Sequence, residues 1–245
     1  MLETMRLPVI GKEKMESKSI LADAHGRQIH KLRVQLTDAC NFRCFYCMPL
    51  TPEFLPSSAL LSSGELLEIC SALADFGIDE IRISGGEPTL RKDFESIVEG
   101  LSRLPLRKIG LTTNGFLLVE KLEFLKQTRC QHINISLDSL RAGRFHEITK
   151  TKYFQKVYEA VLQTKAQGFK VKVNTVVMRG VNDDEIMDFV KFSADHAIEV
   201  RFLELMKIGC SHQNHSLNFM PAREIIKKIE ESETLLPQSV NRDST

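Results

Sequence analysis

The sequence predicts an α/β protein built as a partial (β/α)6 TIM-like barrel, and three observations carry that prediction. Six strand-like runs alternate with amphipathic segments: KLRVQLT from Lys31, EIRISGG from Glu80, RKIGLTT from Arg107, HINISLD from His132, KVKVNTVVM from Lys170 and EVRFLEL from Glu199. Such alternation points to a parallel sheet with helical crossovers. The strands also alternate apolar and polar residues. The apolar face must meet the helices, so the polar face turns into the lumen. Finally, the chemistry-bearing motifs follow strand ends, the side on which barrels of this kind carry their sites.

In chain order, residues 1–30 show no clear periodicity and read as an N-terminal arm. Residues 31–207 make the partial barrel, and residues 208–245 a loop, a short helix and a polar tail ending in SETLLPQSVNRDST. Ser62 and Glu65 form a capping box for a helix over 62–76, with Leu66, Ile69, Leu73 and Phe76 on its buried stripe. A second helix over 154–167 places Phe154, Val157, Tyr158, Val161 and Leu162 on one face and stops at Gly168. Asp183, Asp184 and Glu185 stand where a following helix begins, favouring its positive end. In the first, second and fourth strands and the start of the fifth, parity turns Arg33, Gln35, Thr37, Arg82, Ser84, Asn134, Ser136, Asp138, Lys172 and Asn174 into the lumen. Such groups are costly to bury without partners, so the lumen is expected to hold water and a polar ligand. A half-exposed antiparallel sheet is the competing reading of the parity. In the last strand, Glu204 and Met206 share a face with Val200 and Phe202 and blur the pattern.

The composition is that of a globular protein, 42% hydrophobic and 27% charged, with a net charge of +1. That balance gives no overall field for nucleic acid. No apolar run is long enough for a membrane-spanning helix. The N-terminus has no apolar signal core, and with its cysteines expected to be reduced the protein is expected in the cytoplasm.

The strongest motif is Cys40, Cys44 and Cys47 in DACNFRCFYCMP, spaced C-x3-C-x2-C directly after the first strand. Thiolates are preferred ligands of iron–sulfur clusters. Three thiolates on a four-iron cubane leave one iron open to a substrate or cofactor. Structural zinc is the alternative, but it usually takes four ligands in paired knuckles, and no second knuckle follows. A disulfide framework suits a smaller secreted chain. Cys70 and Cys130 read as buried packing thiols. Cys210, with His212 and His215, could bind a metal but reads better as a polar loop. After the second strand, Ser84-Gly85-Gly86-Glu87-Pro88 has two glycines that would let a ligand approach the backbone, although a plain βα turn would also use them. Thr112-Thr113-Asn114-Gly115 and Ser136-Leu137-Asp138 end the next two strands.

Together these motifs resemble the radical S-adenosylmethionine (SAM) superfamily, so that the barrel is of the radical SAM type. The order LRVQLTDACNFRCFYCMP, IRISGGEPTLRKDF, IGLTTNGFLL, INISLDSL, VKVNTVVMRGVNDDEI and EVRFLELM resembles the GTP 3′,8-cyclase family of molybdenum cofactor (molybdopterin) biosynthesis, from about Gly26 to Met206. The resemblance implies a lyase in which Cys40, Cys44 and Cys47 hold a [4Fe-4S] cluster and SAM chelates its open iron. Reductive cleavage then yields a 5′-deoxyadenosyl radical that abstracts the 3′ hydrogen of GTP. By motif position, SAM contacts fall on Tyr46, Gly86, Ser136 and Met206, and GTP contacts on Arg33, Arg82, Thr112 and Lys172. No catalytic residue is implied beyond the cluster. The implied partners are GTP and an electron donor, with neither nucleic acid nor membrane; a homo-oligomer stays open. The family's C-terminal second cluster site has no counterpart after Met206. The expectation is therefore a chain that binds the first cluster and SAM but does not complete GTP cyclisation. Two alternatives stand beside it: a radical SAM enzyme acting on another nucleotide, sugar or peptide, and a catalytically incomplete remnant with a binding role.

Overall fold

The computed structural model describes residues 20–207, 209–212 and 215–237. Six strands, β1 (Lys31–Gln35), β2 (Glu80–Ser84), β3 (Lys108–Thr113), β4 (Cys130–Ser136), β5 (Lys170–Val177) and β6 (Glu199–Glu204), pair in chain order, every pair parallel. Helices α1 (Ser63–Asp75), α2 (Phe94–Arg103), α3 (Leu118–Lys126), α4 (Ala142–Thr149), α5 (Phe154–Ala166) and α6 (Ile186–His196) make the crossovers. Short α7 (His215–Asn218) and then α8 (Ala222–Glu230) follow the last strand. The antiparallel alternative is thereby excluded, and the partial (β/α)6 architecture stands. What the sequence leads one to expect of residues 1–19, 208, 213–214 and 238–245 lies outside the described residues; within 20–30, a bridge between Ala22 and Gln28 is tied to α1 through Leu21 and Phe76.

The core lies between sheet and helices. Ile81, Ile83, Ile109, Leu111, Ile133, Ile135 and Val173 are buried against Ile97, Leu101, Leu118, Leu122, Val157 and Phe189. Each such side chain contributes about 1.5–3 kcal/mol of transfer free energy. The lumen face carries the expected polar residues, and pairing sets them in sheared rungs. Arg33, Arg82 and Gly110 make one, Thr112, Asn134 and Lys172 a second, and Ser136, Asn174 and Arg201 a third. At the other end of the barrel, buried Glu80 is ringed by Lys31, Arg107 and Lys108 at 3.3–3.8 Å.

One local expectation needs correction. The capping box of Ser62 and Glu65 is present, but α1 is rotated from the expected stripe: Leu66, Cys70 and Ala74 are buried, while Ile69 is 47% exposed. Asp183, Asp184 and Glu185 precede α6 as expected, with Glu185 at its N-cap. Glu185 is fully buried and accepts hydrogen bonds from the Ser139 hydroxyl and the Leu140 amide, with Arg144 2.7 Å away. On β6, Glu204 shares the helix side with Val200 and Phe202, as its parity gives, and its carboxylate accepts the Ala222 amide at the start of α8. Gly168 ends α5 as expected, at φ +89°.

Candidate active site

The cysteine loop leaves β1 and folds back over the strand ends. Phe42 is its anchor, buried edge-on against Phe145 and Phe116. On one side the loop is pinned to α4, through Arg43 and Phe45 amides donating to the Thr149 and Ile148 carbonyls. On the other it is pinned to the Gly-Gly turn, where Gly86 and Glu87 amides donate to the Thr37 and Ala39 carbonyls at 2.7 and 2.8 Å.

That second contact adds a further reason for the glycines. A Cβ on Gly85 would sit 2.6 Å from the Thr37 carbonyl oxygen, and one on Gly86 would collide with the Asp38 and Ala39 carbonyl oxygens. The two residues are glycine because the cysteine loop's own backbone occupies the space, a reason the sequence does not display. Glu87 beside them is fully buried and holds the Thr113 hydroxyl, the Thr89 hydroxyl and the Asn114 amide. Burial pushes its carboxyl above the usual range against those bonds.

Cys40, Cys44 and Cys47 line one cavity of about 180 Å³, together with Tyr46, Gly86, Thr112, Asn114, Ser136 and Asp138. Burial pushes all three thiols up, and for Cys44 and Cys47 the nearby Asp138 carboxylate adds to it. Cys210 adds to the shift of Cys47: the Gly209–His212 turn packs on the cysteine loop, with the Ser211 amide donating to the Tyr46 carbonyl. Among the described residues no three His, Cys, Asp or Glu side chains close on a single metal ion. Cys210 and His215 were read as part of a polar loop, and there the His215 ring is hydrogen-bonded to the Leu205 carbonyl. A cubane makes a different demand, one thiolate to each of three irons around a wider object. Three convergent thiols with no fourth loop ligand fit that donor set, and binding would draw off the protons that burial retains.

Of the residues expected at the SAM subsite, Tyr46, Gly86 and Ser136 line this cavity, and Met206 does not: it is 66% exposed. Of those expected at the GTP subsite, Thr112 lines it, and Arg33, Arg82 and Lys172 share the lumen face. Arg82 lies over Gly110, where a Cβ would stand 2.6 Å from the guanidinium. Its Nη1 is buried without a hydrogen-bond partner, and so is Asn174 Oδ1. Burial, then the neighbouring Arg201 and Arg33, press the Arg82 pKa down, opposed by Glu80 and Cys130. An unpaired buried donor and acceptor on a polar lumen wall are what a polar ligand would satisfy. Arg201 and Glu199 were missed from the sequence. Glu199 accepts both Lys172 at 2.8 Å and Arg201 at 2.9 Å. Against the upward push of burial, those two cations hold its carboxyl below the usual range. The alternation that puts Glu199 and Arg201 on one face of the last strand was the available signal.

Residues 34–193 match the Radical SAM superfamily. The chain belongs to that superfamily. It is 44% identical over 225 residues to the GTP 3′,8-cyclase of Synechocystis sp., covering 92% of this chain and 69% of that relative. It is 41% identical over 233 residues to the GTP 3′,8-cyclase of Peptoclostridium acidaminophilum, covering 93% and 71%. Within the radical SAM superfamily the chain therefore belongs to the GTP 3′,8-cyclase family. In fold it is similar to Streptococcus suis SuiB bound to S-adenosylmethionine, at TM-score 0.68 and 18% identity, over 82% of this chain and 47% of that one. It is also similar to TYW1 with a lysine-pyruvate adduct bound, at TM-score 0.59 and 16% identity, over 86% and 76%. Radical SAM cofactors, a [4Fe-4S] cluster and SAM, match the cavity's donor set.

Proposed function

We propose that this chain is a radical SAM cyclase that acts on GTP in molybdenum cofactor biosynthesis. The observation that carries the reading is the stacking of two sites in one barrel: a three-thiol cavity at the strand ends and a cationic lumen wall on the same strands. When bound, the cluster and SAM supply a carbon radical that the side chains present here cannot make. The chain's part is to hold, orient and shield. Cys40, Cys44 and Cys47 hold the cluster. Tyr46, Gly86 and Ser136 border the space beside it, and Met206 is assigned to the same cofactor by motif alone. Arg33, Arg82, Thr112 and Lys172 take the nucleotide, with Arg201 joining them. Forked guanidinium donors and a lysine ammonium match phosphate oxygens. An electron donor must reduce the cluster, and the free cysteines suit a reducing cytoplasm.

The test is anaerobic reconstitution with iron, sulfide and a reductant, followed by assay of 5′-deoxyadenosine with and without GTP deuterated at C3′. Expected is GTP-dependent product carrying deuterium. SAM cleavage without deuterium transfer from GTP would reject GTP as substrate and leave the superfamily assignment standing.

A further inference from the structure

The Cys40 sulfur faces two N–H groups of this chain. The Phe42 amide donates to it at 3.4 Å, and the Asn114 carboxamide Nδ2 lies 3.8 Å away. Asn114 is 8% exposed and held on every side. Its Oδ1 accepts the Phe116 amide at 3.0 Å, its Nδ2 donates to Asn41 Oδ1 at 2.8 Å, and its backbone amide donates to buried Glu87 at 2.6 Å. The Phe116 amide needs an acceptor, so the carboxamide oxygen is fixed on that side and the NH2 on the sulfur side. Asn114 cannot turn its donor away from Cys40 without breaking one of these bonds.

A cluster that takes up an electron gains negative charge on its sulfur ligands, and N–H groups aimed at those ligands favour the reduced state. We propose that Asn114 tunes the cluster: its carboxamide donates to the Cys40 thiolate and raises the reduction potential of the cluster on this loop. Asn114 is thus a positioning and tuning residue acting through Cys40. The proposal rests on the radical SAM reading, because a cluster must occupy the three cysteines for its potential to be tuned.

The experiment is EPR-monitored potentiometric titration of the anaerobically reconstituted full chain without SAM or GTP. Wild type is compared with Asn114→Ala, Asn114→Leu and Thr113→Val. Expected is a lower midpoint for both Asn114 variants. For Asn114→Leu, which keeps the approximate shape and stays neutral while removing the donor, the change is about tenfold in the one-electron equilibrium, or about 59 mV. Thr113→Val loses a hydroxyl bond to the same Glu87 without touching the sulfur, and should keep the wild-type midpoint. Should the alanine variant fail to hold a cluster, the leucine variant decides. An unchanged midpoint with the cluster intact, or an equal shift in Thr113→Val, overturns the proposal. A wild-type chain that assembles no [4Fe-4S] signal rejects the cofactor reading instead.

Discussion

The Tyr46 hydroxyl donates a 2.7 Å hydrogen bond to the Asp138 carboxylate, joining residues 92 apart in sequence. The other Asp138 oxygen accepts the Val176 amide at 2.8 Å. One carboxylate thereby links the cysteine loop to the ends of β4 and β5. Tyr46→Phe would leave that buried oxygen without its donor, a loss of about 1–3 kcal/mol. Denaturant unfolding of the cluster-free chain should show this, and the cluster-loaded variant should release iron to a chelator faster than wild type.

The same carboxylate predicts a pH dependence. Burial raises Asp138 to about 6, opposed by its bonds to Tyr46 and Val176. The folded value then lies above the unfolded one near 3.9, so the folded state binds the proton more tightly. Its contribution is most favourable below about pH 4, declines between about 4 and 6, and is level above. The total swing is about 3 kcal/mol at most. Asp138→Asn should flatten that segment of the profile of cluster-free protein, as measured by unfolding midpoints from pH 4 to 8; an unchanged slope would reject the shift.

Gly86→Ala should detach the cysteine loop from its support. The new Cβ meets the backbone oxygens of Asp38 and Ala39, and backbone cannot swing aside as a side-chain tip can. Overpacking of this kind costs about 1–3 kcal/mol. Far-ultraviolet circular dichroism should stay near wild type while iron bound per chain falls severalfold.

Gly110→Ala is expected to act on the nucleotide alone. Its Cβ meets the mobile end of Arg82, which can rotate away, so the fold should tolerate the change. Losing one well-placed guanidinium contact of about 1.4 kcal/mol lowers affinity about tenfold. Calorimetric titration of GTP against variant and wild type checks this, and cluster absorbance should not change.

Ser62→Ala removes a helix cap far from the cysteines. The serine hydroxyl accepts the Glu65 amide and the Glu65 carboxylate accepts the Ser62 amide. The expected loss is about 1 kcal/mol in thermal unfolding, with iron content unaltered.

The strands and their lumen face were legible because a period of two survives any tertiary context. Ile81 and Ile83 against Arg82 and Ser84 say which face meets helices before the helices are placed. Helix α1 was read less well, because its apolar residues cover more than one stripe and only packing against β1, β2 and α2 selects Cys70 over Ile69. The cysteine cavity was legible from spacing, and the resemblance filled in Tyr46, Gly86 and Ser136. Asn114 and Asp138 were not assigned roles, since each works through a partner dozens of positions away. Nor does sequence show that Gly86, which borders the cavity, also has the cysteine loop's backbone where a Cβ would stand.

Arg33 and Arg82 stand opposite one another in register on neighbouring strands, a strand spacing of about 4.8 Å apart at the backbone. Main-chain ladder bonds, indifferent to side-chain charge, keep these two like-charged residues abreast. The sheet thus holds a standing electrostatic tension that a polyanion would relax on entry.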